Sequence, residues 1–132
     1  MPQSAPYILL IDDDCEDLEM LSSTLEELGI TTQSFVTGES AKCFMLDASS
    51  LPSMIIVDYN MPQSNGQQVL ISLKNNIVTR NIPIVVYSTF MSKALKMTLT
   101  GLGAYDCFTK SFSCDDLDHQ AAVFKRMANS FT

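Results

Sequence analysis

The chain has 132 residues, of which 46% are hydrophobic and 17% charged, and its formal net charge is −7. This length suits one globular domain, and the hydrophobic content excludes a disordered chain. An acidic chain lacks the basic face that nucleic-acid binding needs, so no nucleic-acid partner is expected. No hydrophobic run approaches the ~20 residues that span a bilayer, and no signal peptide precedes Tyr7. We therefore expect a soluble, cytoplasmic protein with no membrane partner.

Short hydrophobic runs alternate with stretches of helical spacing along the whole chain. The runs predict five strands, at Tyr7–Ile11, Thr31–Phe35, Met54–Val57, Ile82–Tyr87 and Asp106–Thr109. Leucines at helical spacing from Leu18 to Leu28 predict the first helix, and Gly29 is placed to end it. Apolar positions predict further helices around residues 41–48, 69–73, 95–102 and 117–131, with Gly103 ending the fourth helix and Ser113 capping the last.

The alternation of strand and helix predicts the fold class. Strands separated by helices along the chain run parallel and are joined by right-handed crossovers. The runs Met54–Val57 and Ile82–Tyr87 are almost wholly hydrophobic, as strands are when helices cover both faces of a sheet. We therefore predict an α/β fold with a doubly wound parallel sheet. Ligands bind such folds outside the carboxyl ends of the strands, which makes the residues at those ends the candidate site.

Polar and charged residues stand at the ends of four predicted strands: Asp12, Asp13 and Asp14 at the first, Asp58 at the third, Ser88 at the fourth and Lys110 at the fifth. Each has an ordinary alternative explanation. The acidic run would favour the start of the next helix through the helix dipole, Asp58 would form a turn, and Lys110 would be a solvated lysine. Helix capping alone does not explain acids at two strand ends together with a hydroxyl and an ammonium at two others.

Carboxylates grouped at one edge of a sheet need a cation. Two of them about 4 Å apart repel by about 4 kcal/mol at an effective dielectric of about 20. Oxygen ligands suit Mg²⁺, and the chain lacks both a C-x-x-C pair and any histidine besides His119, which argues against zinc. Lys110 and Ser88 add hydrogen-bond donors that suit a phosphoryl group lying beside the metal.

Four stretches carry a resemblance to a known family: ILLIDDD (8–14), MIIVDYNMPQSNG (54–66), IPIVVYST (82–89) and GAYDCFTKSF (103–112). In this order and spacing they resemble the receiver domain of two-component response regulators, such as the single-domain chemotaxis regulator. The resemblance implies a flavodoxin-like fold with a five-stranded parallel sheet in the order 2-1-3-4-5 and helices on both faces. It covers residues 7–131, so we expect one receiver domain over 1–132 and no output domain in this chain.

The resemblance also implies how the site handles a phosphoryl group. Asp58 matches the aspartate that accepts it from a phosphohistidine on a sensor histidine kinase or a His phosphotransfer protein. Ser88 and Lys110 match the hydroxyl and the ammonium that bind phosphoryl oxygens. The Met61–Pro62 turn and Gly66 match the loop that keeps the site open. A phosphorylated domain would signal by a conformational change that alters docking to a downstream protein, which the sequence does not name.

The same resemblance assigns the Mg²⁺ ligands. Asp13 matches a direct ligand, and Asp12 matches a partner that acts mainly through water. Asn60 matches the position whose backbone carbonyl binds the metal, and Asp58 completes the set. The protein is thus expected to be a signalling domain that catalyses only its own phosphorylation and slow dephosphorylation.

The chain departs from the family pattern next to the lysine. Ser111 stands where the family has a proline after a cis peptide bond, and a cis bond before another residue costs about 2.5–4 kcal/mol. We therefore expect a trans Lys110–Ser111 bond. Cys107 stands where the family has its switch aromatic, so we expect a muted switch or one that uses Phe90, Met91 or Tyr105.

Phe90 lies two residues after Ser88, where the family controls access of water to the phosphoaspartate. A bulky apolar side chain there would hinder the attacking water, so we expect a long-lived phosphoaspartate.

Alternative functions stay open at this point. One is a degenerate receiver that binds proteins independently of phosphorylation; Ser111 and Cys107 favour it, whereas the complete acidic set and Lys110 oppose it. The other is a metal-dependent phosphatase or an FMN-binding module on a similar fold. Three aspartates after the first strand would repel a flavin phosphate, which opposes the FMN-binding module.

Overall fold

The structure is a computed structural model that describes residues 6–62, 64–110 and 113–131. Strands and helices alternate along these residues as the sequence predicts. In chain order the elements are β1 (Tyr7–Ile11), α1 (Cys15–Glu27), β2 (Thr31–Phe35), α2 (Gly38–Leu46), β3 (Met54–Asp58), α3 (Gly66–Lys74), β4 (Ile84–Ser88), α4 (Lys93–Gly101), β5 (Asp106–Thr109) and α5 (Cys114–Ser130).

The strands form one parallel sheet in the order β2-β1-β3-β4-β5. Successive side chains of a strand point to opposite faces, so each central strand contributes to two cores. In β1, Leu9 and Ile11 pack with α2, α3 and α4, whereas Ile8 and Leu10 pack with α1 and α5. The predicted doubly wound α/β fold, with helices on both faces and the flavodoxin-like strand order, is confirmed.

Strands β3 and β4 each differ by a residue or two from the predicted runs. The fourth strand begins at Ile84, because the Ile82 N–H donates to Thr79 O in a turn and Pro83 has no N–H to donate. The third strand includes Asp58, which lies opposite Tyr87 in the sheet. The strand thus fixes the backbone of Asp58 itself.

The helix ends follow the predicted signals. The Asp14 carboxylate caps α1 by accepting hydrogen bonds from the N–H groups of Glu16 and Asp17, which gives the acidic run a capping role as well. Gly29 and Gly103 follow α1 and α4 with φ of 87° and 112°, a region that glycine adopts without strain. Within the described ranges, no helix is both long and apolar enough to cross a membrane.

Candidate functional site

Three carboxylates meet at the carboxyl edge of the sheet. Asp12 and Asp13 directly follow β1, and Asp58 ends the adjacent β3. One oxygen from each lies within 4.8 Å of the others. Asp12 and Asp58 are buried, whereas Asp13 is exposed. The parallel pairing of β1 and β3 thus brings together acids separated by more than forty residues of chain, in a set that a divalent cation would neutralise.

Lys110 enters this cluster from the other side. It directly follows β5, and its backbone N–H donates to Ser88 O at 2.7 Å. Its buried Nζ lies 2.7 Å from Asp12 Oδ2, 2.8 Å from Asp17 Oδ2 and 3.4 Å from Asp58 Oδ1. The ammonium therefore makes its two short contacts with Asp12 and Asp17, and the Asp58 contact is longer.

The charges in the site are incompletely balanced. Burial, together with the negative charge of Asp12, raises the pKa of Asp58 to about 6, despite Lys110 and a hydrogen bond from the Asn60 backbone N–H. Burial also raises the pKa of Asp12. Among the described residues, no group donates a hydrogen bond to buried Asp58 Oδ1. A buried anionic oxygen without a donor is costly, so the site favours an added cation.

The pKa of Lys110 moves the other way. Burial by itself would lower it, but hydrogen bonds to Asp12 and Asp17 and the charges of Asp12 and Asp58 outweigh burial and raise it above the ordinary lysine value. Lys110 is therefore a fixed positive charge in the site.

Ser88 and Asn60 are linked beside the cluster. The Asn60 Nδ2 donates to Ser88 Oγ at 3.1 Å, and Ser88 Oγ donates to Phe90 O at 3.0 Å. The Phe90 N–H returns a hydrogen bond to Ser88 Oγ at 3.3 Å. The Ser88 hydroxyl is buried and committed to the β4–α4 connection, so donating to a ligand requires it to leave Phe90 O.

Gly66 closes the loop below Asp58. Its N–H donates to Tyr59 O at 2.9 Å, and a Cβ built on it would lie 2.8 Å from Asp58 O and from Tyr59 Cα. Only glycine permits this approach of α3 to the end of β3.

An open groove lies near this loop. Asp13, Met61 and Ser64 form part of the wall of this groove, which has a volume of about 620 Å³, so the exposed Asp13 carboxylate is accessible from outside.

The residues that depart from the family pattern lie in different environments. Cys107 is buried, and burial raises its pKa, with a contribution from Asp106. Met91 packs against the core that contains Cys107, whereas Phe90 is 77% exposed. The predicted trans bond between Lys110 and Ser111 falls outside the described residues.

The sequence prediction missed two features of the site. Asp17 was not expected to contact Lys110, although a carboxylate one helical turn after a capping residue could have suggested that it faces the same edge.

The second feature is a link between the site and α5 through Tyr87, whose ring centroid lies 5.9 Å from Lys110 Nζ. The Tyr87 hydroxyl donates to Gln120 Oε1, and Gln120 Nε2 donates to Thr109 O at 2.8 Å. No local pattern signals this link between the site and α5.

Parallel strands bring acids, a hydroxyl and a lysine to one edge of the sheet, and comparison with known proteins identifies the family. Residues 8–122 match the family described as "Response regulator receiver domain". The chain belongs to this family, whose members are receiver domains of two-component signalling systems.

Curated relatives agree with this assignment. The response regulator protein TodT of Pseudomonas putida is 32% identical over 118 residues, which cover 89% of this chain and 50% of that protein. The chemotaxis protein CheV1 of Helicobacter pylori is 31% identical over 107 residues, which cover 79% of this chain and 33% of that protein. The chain thus spans half or less of the length of these two relatives.

Solved structures show the same fold. The phosphorylated cyanobacterial phytochrome response regulator RcpA superposes with a TM-score of 0.84 at 22% identity, covering 98% of this chain and 97% of the other. The Mn²⁺-bound form of the response regulator Rcp1 superposes with a TM-score of 0.78 at 25% identity, covering 92% of each chain.

Proposed function

We propose that this domain accepts a phosphoryl group on Asp58 from a phosphohistidine and signals while it is phosphorylated. One observation carries the proposal: a buried strand holds the Asp58 carboxylate within 4.8 Å of two further carboxylates and 3.4 Å from a buried ammonium. Phosphoryl transfer demands positioning and charge neutralisation more than a strong nucleophile, and this arrangement offers both.

Mg²⁺ is the proposed cofactor. Asp12, Asp13, Asp58 and the backbone carbonyl of Asn60 would hold it, with Asp13 as a direct ligand and Asp12 acting mainly through water. The all-oxygen donor set, and Asp58 Oδ1, which accepts no hydrogen bond from a described residue, support a hard divalent cation. The Mn²⁺ described for Rcp1 is consistent with this. When bound, the ion would neutralise charge on the transferring phosphoryl group.

The proposed reaction has a simple balance. An Asp58 carboxylate oxygen attacks phosphorus, the oxygen–phosphorus bond forms, and the phosphorus–nitrogen bond of the phosphohistidine breaks. The electron pair of that bond stays with the leaving imidazole. Lys110 pairs with one phosphoryl oxygen and Ser88 donates to another. Later, water attacks phosphorus and the bond between phosphorus and the Asp58 oxygen breaks. Inorganic phosphate leaves with the protons of the water, and the Asp58 carboxylate is regenerated.

The phosphodonor is proposed to be a sensor histidine kinase or a His phosphotransfer protein. The relatives include the sensor histidine kinase CheAY of Helicobacter pylori, which is 24% identical over 106 residues. The output is proposed to be altered docking to a downstream protein. A phosphorylation-independent binding module has less support, because the acidic cluster and Lys110 are all in place.

The test is phosphorylation by acetyl phosphate with Mg²⁺, followed by intact mass. Wild type should gain the mass of one phosphoryl group, and the gain should require Mg²⁺. Asp58→Ala should gain none. Asp47→Ala is the matched control, since Asp47 is an exposed carboxylate at the end of α2. Equal labelling of wild type and Asp58→Ala, or no labelling of wild type, would contradict the proposal.

A further inference from the structure

Asp17 is an acid that the proposed phosphoryl chemistry does not use, yet it makes one of the two shortest contacts of Lys110. Its Oδ2 lies 2.8 Å from Lys110 Nζ, almost as close as Asp12 Oδ2 at 2.7 Å. The two residues are 93 positions apart in the chain. Asp17 sits in the first turn of α1, where the Asp14 cap fixes the backbone.

The contact affects how Lys110 faces Asp58. Lys110 Nζ is 3.4 Å from Asp58 Oδ1, beyond ordinary charge-assisted hydrogen-bond length, and no described residue donates a hydrogen bond to that buried oxygen. A buried carboxylate oxygen beside an ammonium would normally take a short hydrogen bond from it. Here the ammonium makes its short contacts on the other side, with Asp12 and Asp17.

We infer that Asp17 is a positioning residue that holds Lys110 back from Asp58 in the unphosphorylated domain and so restrains phosphoryl acceptance. The inference rests on the proposed function. Binding of the phosphoryl group requires Lys110 to shift some of its hydrogen bonding from Asp17 to a phosphoryl oxygen. The negative charge of Asp17 also offsets the positive charge of the Lys110 ammonium, which weakens the attraction of that ammonium for the anionic phosphodonor.

The chain offers a matched control for this role. Glu16 precedes Asp17, lies in the same first turn of α1 and is exposed, but makes no contact with Lys110. Glu16→Gln and Asp17→Asn remove the same charge from the same helix end. They therefore lose similar helix-dipole stabilisation and change the domain's net charge equally. The difference between them isolates the contact with Lys110.

The experiment measures the rate of phosphorylation by acetyl phosphate at saturating Mg²⁺, using intact mass, for wild type and three variants. Asp17→Asn should be phosphorylated at least about threefold faster than Glu16→Gln, because part of a charge-assisted hydrogen bond no longer has to be given up. Asp17→Glu, which keeps a carboxylate, should return towards the wild-type rate. The Mg²⁺ affinity of Asp17→Asn should equal that of Glu16→Gln, since Asp17 is not among the proposed ligands.

A separate signal reports the contact itself. The ¹⁵N resonance of the Lys110 ammonium should shift in Asp17→Asn and keep its wild-type position in Glu16→Gln, a change that loss of helix stability alone would not produce. If wild type is phosphorylated but Asp17→Asn is phosphorylated no faster than Glu16→Gln, this inference alone is contradicted. A wild type that gains no phosphoryl group on Asp58 would contradict the proposed function and, with it, the restraint.

Discussion

The α-carbon of Gly66 packs directly against the backbone of Asp58. A Cβ at position 66 would stand 2.8 Å from the Asp58 carbonyl oxygen, a distance that real Cβ atoms essentially never show. The neighbouring atoms are backbone, so they cannot move aside as a flexible side chain would. The start of α3 and the end of β3 therefore define each other's position.

Gly66→Ala should destabilise the domain by about 1–3 kcal/mol, because the new methyl group forces the end of β3 to shift. The shift displaces Asp58, so phosphorylation should also slow. Gly101→Ala is the control: apart from its chain neighbours and the nearby backbone of its own helix, no heavy atom lies within 4 Å of its added Cβ, and alanine favours the helix. Urea unfolding measures the stability of both variants, and a Gly66→Ala as stable as wild type would refute the predicted clash.

Asp58→Asn should make the metal-free domain more stable. The folded pKa of Asp58, about 6, lies above the ordinary aspartate value of about 3.9, so the charged form opposes folding. The penalty is fully present above pH 6 and disappears as pH falls from about 6 to 4. Above pH 6, Asp58→Asn should gain up to about 3 kcal/mol in the free energy of unfolding.

Urea unfolding in EDTA at pH 7.5 and at pH 4 checks this prediction. The gain from Asp58→Asn should shrink at the lower pH, and Mg²⁺ at pH 7.5 should stabilise wild type more than the variant. Asp47→Asn changes an exposed carboxylate and serves as the control. A variant less stable than wild type at pH 7.5 in EDTA would show that Lys110 balances the Asp58 charge after all.

Phe90→Glu should shorten the lifetime of the phosphoaspartate. The backbone of Phe90 is hydrogen-bonded to Ser88 Oγ on both its N–H and its carbonyl, while the side chain is 77% exposed. The substitution therefore changes the surroundings of the site without moving Ser88. A polar side chain would admit and orient the attacking water, so dephosphorylation should be several-fold faster.

The decay of the phosphorylated mass after removal of the donor gives this rate. Met97→Glu places the same charge on an exposed position of α4 and should decay like wild type. If Phe90→Glu and Met97→Glu decay alike, the aromatic ring does not control water at the site.

Tyr87→Phe should weaken communication between the site and α5. The substitution keeps the ring near Lys110 and its edge contact with Phe124, but removes the hydroxyl that donates to Gln120. Since Cys107 is too short to act as the family's switch aromatic, we expect this link to carry part of the response. Stability should fall by about 1 kcal/mol.

Amide chemical shifts of α5, recorded with and without beryllofluoride, measure the response. They should move less in Tyr87→Phe than in wild type. Tyr7→Phe, which removes a tyrosine hydroxyl that donates to Ser50 O and has no contact with Gln120, is the control. If beryllofluoride moves the α5 shifts of Tyr87→Phe as far as those of wild type, the Tyr87–Gln120 link has no signalling role.

Local sequence pattern was sufficient for most of the fold. Hydrophobic runs such as Tyr7–Ile11 and the glycines Gly29 and Gly103 determine where elements form and stop, because burial and backbone conformation depend on near neighbours. The rule that parallel strands share a carboxyl edge was enough to group Asp12, Asp13, Asp58, Ser88 and Lys110. The start of β4 was harder to predict, since it depends on which carbonyl accepts the hydrogen bond of the Ile82 N–H.

The contacts within the site were decided by the tertiary structure. The Asp17–Lys110 pair joins residues 93 positions apart, and the Tyr87–Gln120 bond joins residues 33 apart. The raised pKa of Asp58 arises from burial and from Asp12, which follows the neighbouring strand β1. The sequence by itself determined which chemical groups reach this edge of the sheet, because the alternation of strands and helices follows from short-range pattern and parallel strands share their carboxyl edge. Only the tertiary structure decided which of these groups form hydrogen bonds and ion pairs with one another. Those interactions depend on distances between side chains that are far apart in the sequence, and local sequence pattern does not determine such distances.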